Sequence, residues 1–293
     1  MGKFHLKEKM LFAGLLALSS TCCHADLKSE NEAEKELQKY NAAIELYPND
    51  ADSYFLRGSL HFEQGRGQKA IDDYTKALQL DPEDAEAYFF RARAQTKFFK
   101  ENQKAVDDYT QAIKLSPSDP DFYYFRARAF SDMPDQSEKA INDYTKAIQL
   151  NPEDAGAYYF RGKAYEAITR YEKAIADYSK AIILNPKDGN AYCSRAQAYD
   201  ALASYQDARA DYSNALKLNP KSADVYYFRG LSSVQQKNYK SGFDDLYNAG
   251  LSYLQDNNRS QALKCVEAMK KTDNNSPDIK KLMDKIKGGN KSK

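Results

Sequence analysis

Six of the nine prolines, Pro48, Pro82, Pro117, Pro152, Pro186 and Pro220, recur at intervals of 34, 35, 35, 34 and 34 residues, and the text between them recurs too. Proline lacks the backbone N–H and its ring strikes the preceding turn, so each one closes a unit. An Asp-Ala or Asp-Gly that follows, such as Asp84-Ala85 or Asp188-Gly189, opens the next. From Ala155 to Pro186 apolar residues return with a helical period on both sides of a turn near Arg170, so each unit is read as two helices. A length of 293 residues would otherwise suggest two globular domains, but a fixed period outweighs that estimate.

With Ala51, Ala85, Pro120, Ala155, Gly189 and Ala223 as position 1, position 4 is always tyrosine: Tyr54, Tyr88, Tyr123, Tyr158, Tyr192 and Tyr226. Position 8 is always small: Gly58, Ala92, Ala127, Gly162, Ala196 and Gly230. The second helix repeats alanine (Ala70, Ala105, Ala140, Ala174, Ala208), tyrosine (Tyr74, Tyr109, Tyr144, Tyr178, Tyr212) and a second alanine (Ala77, Ala112, Ala147, Ala181, Ala215).

This unit resembles the tetratricopeptide repeat, a helix-turn-helix of 34 residues, over residues 49 to about 254. The resemblance implies an all-α fold, a right-handed α-solenoid of antiparallel helix pairs. The expected units are 49–82, 83–117, 118–152, 153–186, 187–220 and 221–254. Residues 26–48 read as a capping half repeat, with Tyr40, Ala43, Ile44 and Pro48 in register. Residues 255–287 read as a degenerate capping pair, because a terminal unit needs its apolar face covered. Its helices are expected to start at Ser260, with Ala262, Leu263, Val266 and Met269 inward, and at Ser276-Pro277, with Ile279, Leu282 and Ile286 inward. Residues 288–293 read as a solvated tail.

At about 100° per residue, positions 4, 8 and 11 of the first helix form one apolar stripe and positions 3, 6 and 10 a second, which predicts two packed neighbours. Position 7, between them, is arginine six times: Arg57, Arg91, Arg126, Arg161, Arg195 and Arg229. A buried charge without a partner is costly. Helix B offers Asp73, Asp108, Asp143, Asp177, Asp211 and Asp245, so Arg–Asp pairs within or between units are expected, as a ladder fixing helix register or as a charged groove. The family more often has Leu at this position.

The remaining arc holds positions 2, 5, 9, 12 and 13 and is expected to be exposed. Position 5 there reads Phe55, Phe89, Tyr124, Tyr159, Cys193 and Tyr227, and position 9 supplies Arg93, Arg128 and Lys163. An exposed aromatic column marks an interaction surface; the other reading is that it packs against a neighbouring helix A. In the family this arc lines the concave groove that takes extended or helical peptides. The basic trio would suit an acidic or carboxylate-bearing ligand, although the Lys and Asn positions of the carboxylate clamp in chaperone-binding relatives are missing.

Lys3, Lys7 and Lys9 precede the apolar run Met10 to Leu18, and a small polar stretch ends at Ala25. This reads as a secretory leader, residues 1–25, cleaved after Ala25 and too short to span a bilayer. Acylation of Cys22 is the other reading. Lys+Arg 43 against Asp+Glu 42 becomes 40 against 41 once Lys3, Lys7, Lys9 and Glu8 are removed. That balance argues against nucleic acid or anionic membrane as the main partner. Cys193 and Cys265 are too few for a disulfide framework.

Beyond the leader the one histidine is His61, in a core slot, which leaves no His-activated nucleophile and no multi-histidine metal site. Phosphate loops and G-x-S-x-G are absent. The sequence therefore predicts no catalysis, no metal and no cofactor. It points to a periplasmic or secreted scaffold that binds a protein or peptide, with a self-associating structural component as the alternative.

Overall fold

The computed structural model describes residues 23–288, with the backbone alone for 23–31. The leader up to residue 22 and the last five residues lie outside the described part. The chain divides after Leu150 into two compact units. Among the described residues there is no strand, and no helix is long and apolar enough to cross a membrane.

The first unit begins with α1 (Cys23–Leu46), which starts before the expected cap and ends just ahead of Pro48. Three helix pairs follow: α2 (Ala51–Glu63) with α3 (Gly67–Leu80), α4 (Ala85–Ala94) with α5 (Asn102–Leu115), and α6 (Pro120–Ser131) with α7 (Ser137–Leu150). The extra residue of the second repeat is taken up by a π-helical turn, Gln95–Phe99, at the end of α4. The second unit holds α8 (Ala155–Ala167) with α9 (Tyr171–Leu184), α10 (Gly189–Ala201) with α11 (Tyr205–Leu218), and α12 (Ala223–Gln235) with α13 (Tyr239–Gln255). It closes with α14 (Arg259–Thr272) and α15 (Pro277–Gly288).

Local chemistry sets these boundaries. Where Asn185-Pro186 ends α9, the Asn185 side chain accepts from Lys187 N and Asp188 then caps α10 through Asn190 N and Ala191 N. Asp81 and Asp84 do the same ahead of α4. All six turns from helix A to helix B pass through one residue at positive φ, glycine only at Gly65 (73°) and otherwise Lys100, Asp135, Thr169, Ala203 or Lys237.

The repeated alanines are the seams where helices approach closely: Ala70, Ala105, Ala140, Ala174 and Ala208 are fully buried. Tyr74, Tyr109, Tyr144, Tyr178 and Tyr212 fill the space between the helices of each pair. Burying a ring of this size is a core-scale contribution, and its removal costs about 3–5 kcal/mol. In the last pair Leu246 takes the tyrosine's place. Helix α14 is capped by Asn258 through Gln261 N, not from Ser260. It buries Ala262, Cys265, Val266 and Met269, while Leu263, expected inward, is exposed because the α15 contact falls on the adjacent arc.

Candidate partner-binding face

All six position-7 arginines hold their helix-B aspartates with two parallel hydrogen bonds of 2.6–2.9 Å, from Nε and from Nη2. The pairs are Arg57–Asp73, Arg91–Asp108, Arg126–Asp143, Arg161–Asp177, Arg195–Asp211 and Arg229–Asp245. The aspartates are buried, and their hydrogen bonds hold Arg57, Arg195 and Arg229 protonated beyond the ordinary arginine range. A third nitrogen, Nη1, reaches the preceding helix B: Asn41 at 2.8 Å from Arg57, Thr75 at 3.2 Å from Arg91, and Thr110 at 3.0 Å from Arg126. In the second unit Arg195 reaches Ser179 at 2.9 Å and Arg229 reaches Ser213 at 3.0 Å. Each guanidinium also lies over the position-4 tyrosine one turn earlier, 5.5–5.9 Å from its ring centre. With its nitrogens committed to two helices, the arginine ties neighbouring repeats together and is not offered to a ligand.

The hydroxyl partners were legible and missed. They follow the helix-B tyrosine directly, in Tyr74-Thr75, Tyr109-Thr110, Tyr178-Ser179 and Tyr212-Ser213.

The position-5 column does not stand in solvent as expected. Phe55 is 2% exposed and Phe89 7%, and Tyr124, Tyr159 and Tyr227 are half-buried. Each of the first four rings packs on its own helix-B tyrosine: Phe55 on Tyr74, Phe89 on Tyr109, Tyr124 on Tyr144 and Tyr159 on Tyr178, at 5.7–5.8 Å between centres. It also meets the next helix A. Phe89 lies 5.0 Å from Phe122 and 5.4 Å from Phe125, and the Tyr159 hydroxyl lies 3.4 Å from Ser194 Oγ. Position 4, expected within the first apolar stripe, is instead half-exposed. The physical reason is that helix A touches its own helix B and the next repeat at once, so its apolar arc is wider than two stripes and takes in position 5.

The basic trio is only partly open as well. Arg93 is wedged among Phe62, Phe89, Phe90 and Phe125, 5.0–5.7 Å from each ring centre. Lys163 pairs with Glu166 at 3.0 Å and keeps 42% of its side chain exposed. Burial pushes the Tyr109 and Tyr144 phenols well above the ordinary range, and half-buried Arg128 lies close enough to each to oppose that rise in small part. Lys97, on the same arc of the first unit, is exposed and lies 4.4 Å from the Phe62 ring centre.

In the second unit the buried tyrosine hydroxyls donate to acids of helix A: Tyr178 to Glu166 at 2.6 Å and Tyr212 to Asp200 at 2.8 Å. Burial and these carboxylates push both phenols far above the ordinary tyrosine range. Tyr253 donates to Asp224 in the same way. Burial raises the Cys193 thiol to about 11, so it is no thiolate at neutral pH. Burial also lowers the pKa of His61, and the Asp73 carboxylate 3.9 Å away offsets this only in part. Beside Cys193 a pocket of about 500 Å³ opens between α10 and α12. Among the described residues no three His, Cys, Asp or Glu side chains are grouped to hold a metal.

Tetratricopeptide repeat families match residues 51–84, 85–119, 155–188 and 193–252, and a TPR repeat family matches 136–168. The chain belongs to the tetratricopeptide repeat family. Among solved structures, MamA is 27% identical over 59% of this chain and 94% of its own, with a TM-score of 0.55. A tetratricopeptide repeat protein from Parabacteroides merdae ATCC 43184 is 18% identical, with a TM-score of 0.59 over 81% of this chain and 98% of its own. YrrB, described as a TPR protein with an unusual peptide-binding site, is 20% identical over 62% of this chain and 92% of its own, with a TM-score of 0.55. Comparison with curated proteins finds no match. As a TPR protein, the chain is a scaffold for protein–protein interaction.

Proposed function

We propose that this TPR protein is a non-enzymatic scaffold, acting outside the cytoplasm, that holds a peptide or protein partner on the helix-A arc of its repeats. One observation carries the reading. While the scaffold consumes the Arg–Asp ladder and the helix-B tyrosines internally, the arc formed by positions 5, 9 and 13 keeps half-exposed tyrosines beside long cations. Tyr124, Lys97 and Arg128 lie on it in the first unit, and Tyr159, Lys163 and Tyr227 in the second. Aromatic rings and amphipathic cations are the side chains that dominate protein interfaces. Export is supported by the leader, Lys3 to Ala25. The absence of catalysis is supported by a protonated Cys193, a buried His61 and aspartates committed to pairs.

Self-association through the ends is the weaker reading, since the apolar residues of the last helix, Ile279, Leu282 and Ile286, are already buried within the chain.

The test is capture of partners from native extract by the full chain and by a Lys97→Glu, Arg128→Glu, Lys163→Glu variant shown by circular dichroism to be folded. Loss of specific partners in the variant is expected; identical recovery by both sinks the helix-A reading. The mature N-terminal residue checks export: Asp26 is expected, and an acylated Cys22 points to a lipoprotein.

A further inference from the structure

Position 5 carries a ring in five repeats and cysteine in one. In the first, second and fourth repeats the ring fills a defined place, against the second helix-B alanine of its own repeat and positions 3 and 6 of the next helix A. Phe55 packs with Ala77 and Ala87 and lies 5.6 Å from Phe90. Tyr159 packs with Ala181 and Ala191 and meets Ser194. In the fifth repeat the matching residues are Ala215, Val225 and Phe228, and with Cys193 all of them line the open pocket of about 500 Å³.

A second truncation falls at the same spot. Position 1 is Gly189 where four other repeats have alanine and one has proline. A Cβ there would meet Leu218, another lining residue, at an ordinary 3.7 Å. Two small residues thus empty one place whose walls the repeat pattern shapes for a ring.

We infer that this pocket receives an aromatic side chain from a bound segment, a ring supplied by the partner where the chain's own is missing. The inference rests on the partner-binding reading and names the chemistry of one contact within it. Ala215, Leu218, Val225 and Phe228 give the apolar walls. Asn190 and Gln197, on the same helix face as Cys193, stand at the mouth with amide groups suited to a peptide backbone. Lys187 and exposed Asp224 also line the pocket, and Lys163 paired with Glu166 lies near Cys193, so charges of both signs surround the opening.

The site is tested without any partner by titrating the full chain with N-acetyl-phenylalanine amide and N-acetyl-alanine amide while following the backbone amide resonances of Gly189, Ala215 and Val225. Burying one ring leads to saturable shifts at millimolar concentration with the phenylalanine amide, roughly tenfold weaker ones with the alanine amide. Cys193→Phe, which places the first repeat's residue in the gap, is expected to fold with unchanged or raised stability and to abolish the shifts. Absence of saturable shifts in the wild type, shifts that persist in Cys193→Phe, or collapse of that variant each overturns the inference. Partner capture separates the two readings. Partners recovered equally by wild type and Cys193→Phe leave the scaffold reading intact and overturn the partner's ring; no capture by either removes the scaffold reading, while the titration still decides the pocket.

Discussion

Arg126 grips Asp143 through two parallel hydrogen bonds, Nε to Oδ2 at 2.7 Å and Nη2 to Oδ1 at 2.8 Å. Their side chains are 18% and 11% exposed, so each charge has given up most of its water. Asp143→Leu leaves the guanidinium stranded and is expected to cost about 3–5 kcal/mol, as breaking a buried pair usually does. Arg126→Leu together with Asp143→Leu removes both charges and is expected to recover most of that loss. Urea unfolding of the two singles and the double, with equal m-values, measures the coupling; additive losses would contradict it.

Phe89 separates packing from recognition. At 7% exposure, with rings of Tyr109, Phe122 and Phe125 around it, Phe89→Ala is expected to cost about 3–5 kcal/mol. Lys97→Glu, on the exposed part of the same arc, is expected to stay within about 0.5 kcal/mol. Thermal or urea unfolding checks both, and comparable losses would mean that this arc is uniformly packed.

The proline interval, the alanine seams and the arginine–aspartate pairing are legible in the sequence because each recurs, and a repeated constraint is visible without coordinates. Phe55 and Phe89 fall inside the packed face because an angle around one helix fixes which residues share a face but not how far round the helix its two neighbours reach. The ring's second wall comes from positions 3 and 6 of the following repeat, about 35 residues further on. The pocket beside Cys193 was invisible for the opposite reason: it is written as a departure from the repeat, in Cys193 and Gly189, and a departure says nothing of whether neighbours close the gap.

Thr169 sits at a φ of 58° in the turn joining α8 to α9, a region its branched Cβ disfavours; Gly65 occupies the same place in the first repeat at 73°. Thr169→Gly is expected to raise stability by about 1 kcal/mol, and Gly65→Thr to lower it by a similar amount. Opposite shifts of the urea midpoint check the pair. A midpoint that falls in both variants would show that Thr169 makes a contact worth more than its backbone cost.

Asp200 gives the protein a pH dependence whose sign follows from its surroundings. Burial raises its pKa above the ordinary carboxylate value, and the hydrogen bonds from Ser232 and Tyr212 offset this only in part. A carboxyl whose folded pKa lies above its unfolded one stabilises the fold fully below the unfolded value, and that contribution is lost as pH rises through the folded value. Near neutral pH the wild type therefore carries a penalty that a neutral side chain of the same shape would not. Asp200→Asn still accepts the Tyr212 hydroxyl and removes the charge, so it is expected to unfold at higher urea than the wild type at neutral pH. Below about pH 4, where the wild-type carboxyl is also neutral, that advantage should vanish. Urea midpoints for both proteins across this range decide the matter: an advantage that grows on acidification would show that the ionised carboxylate, and not its protonated form, is what α10 and α11 are built around.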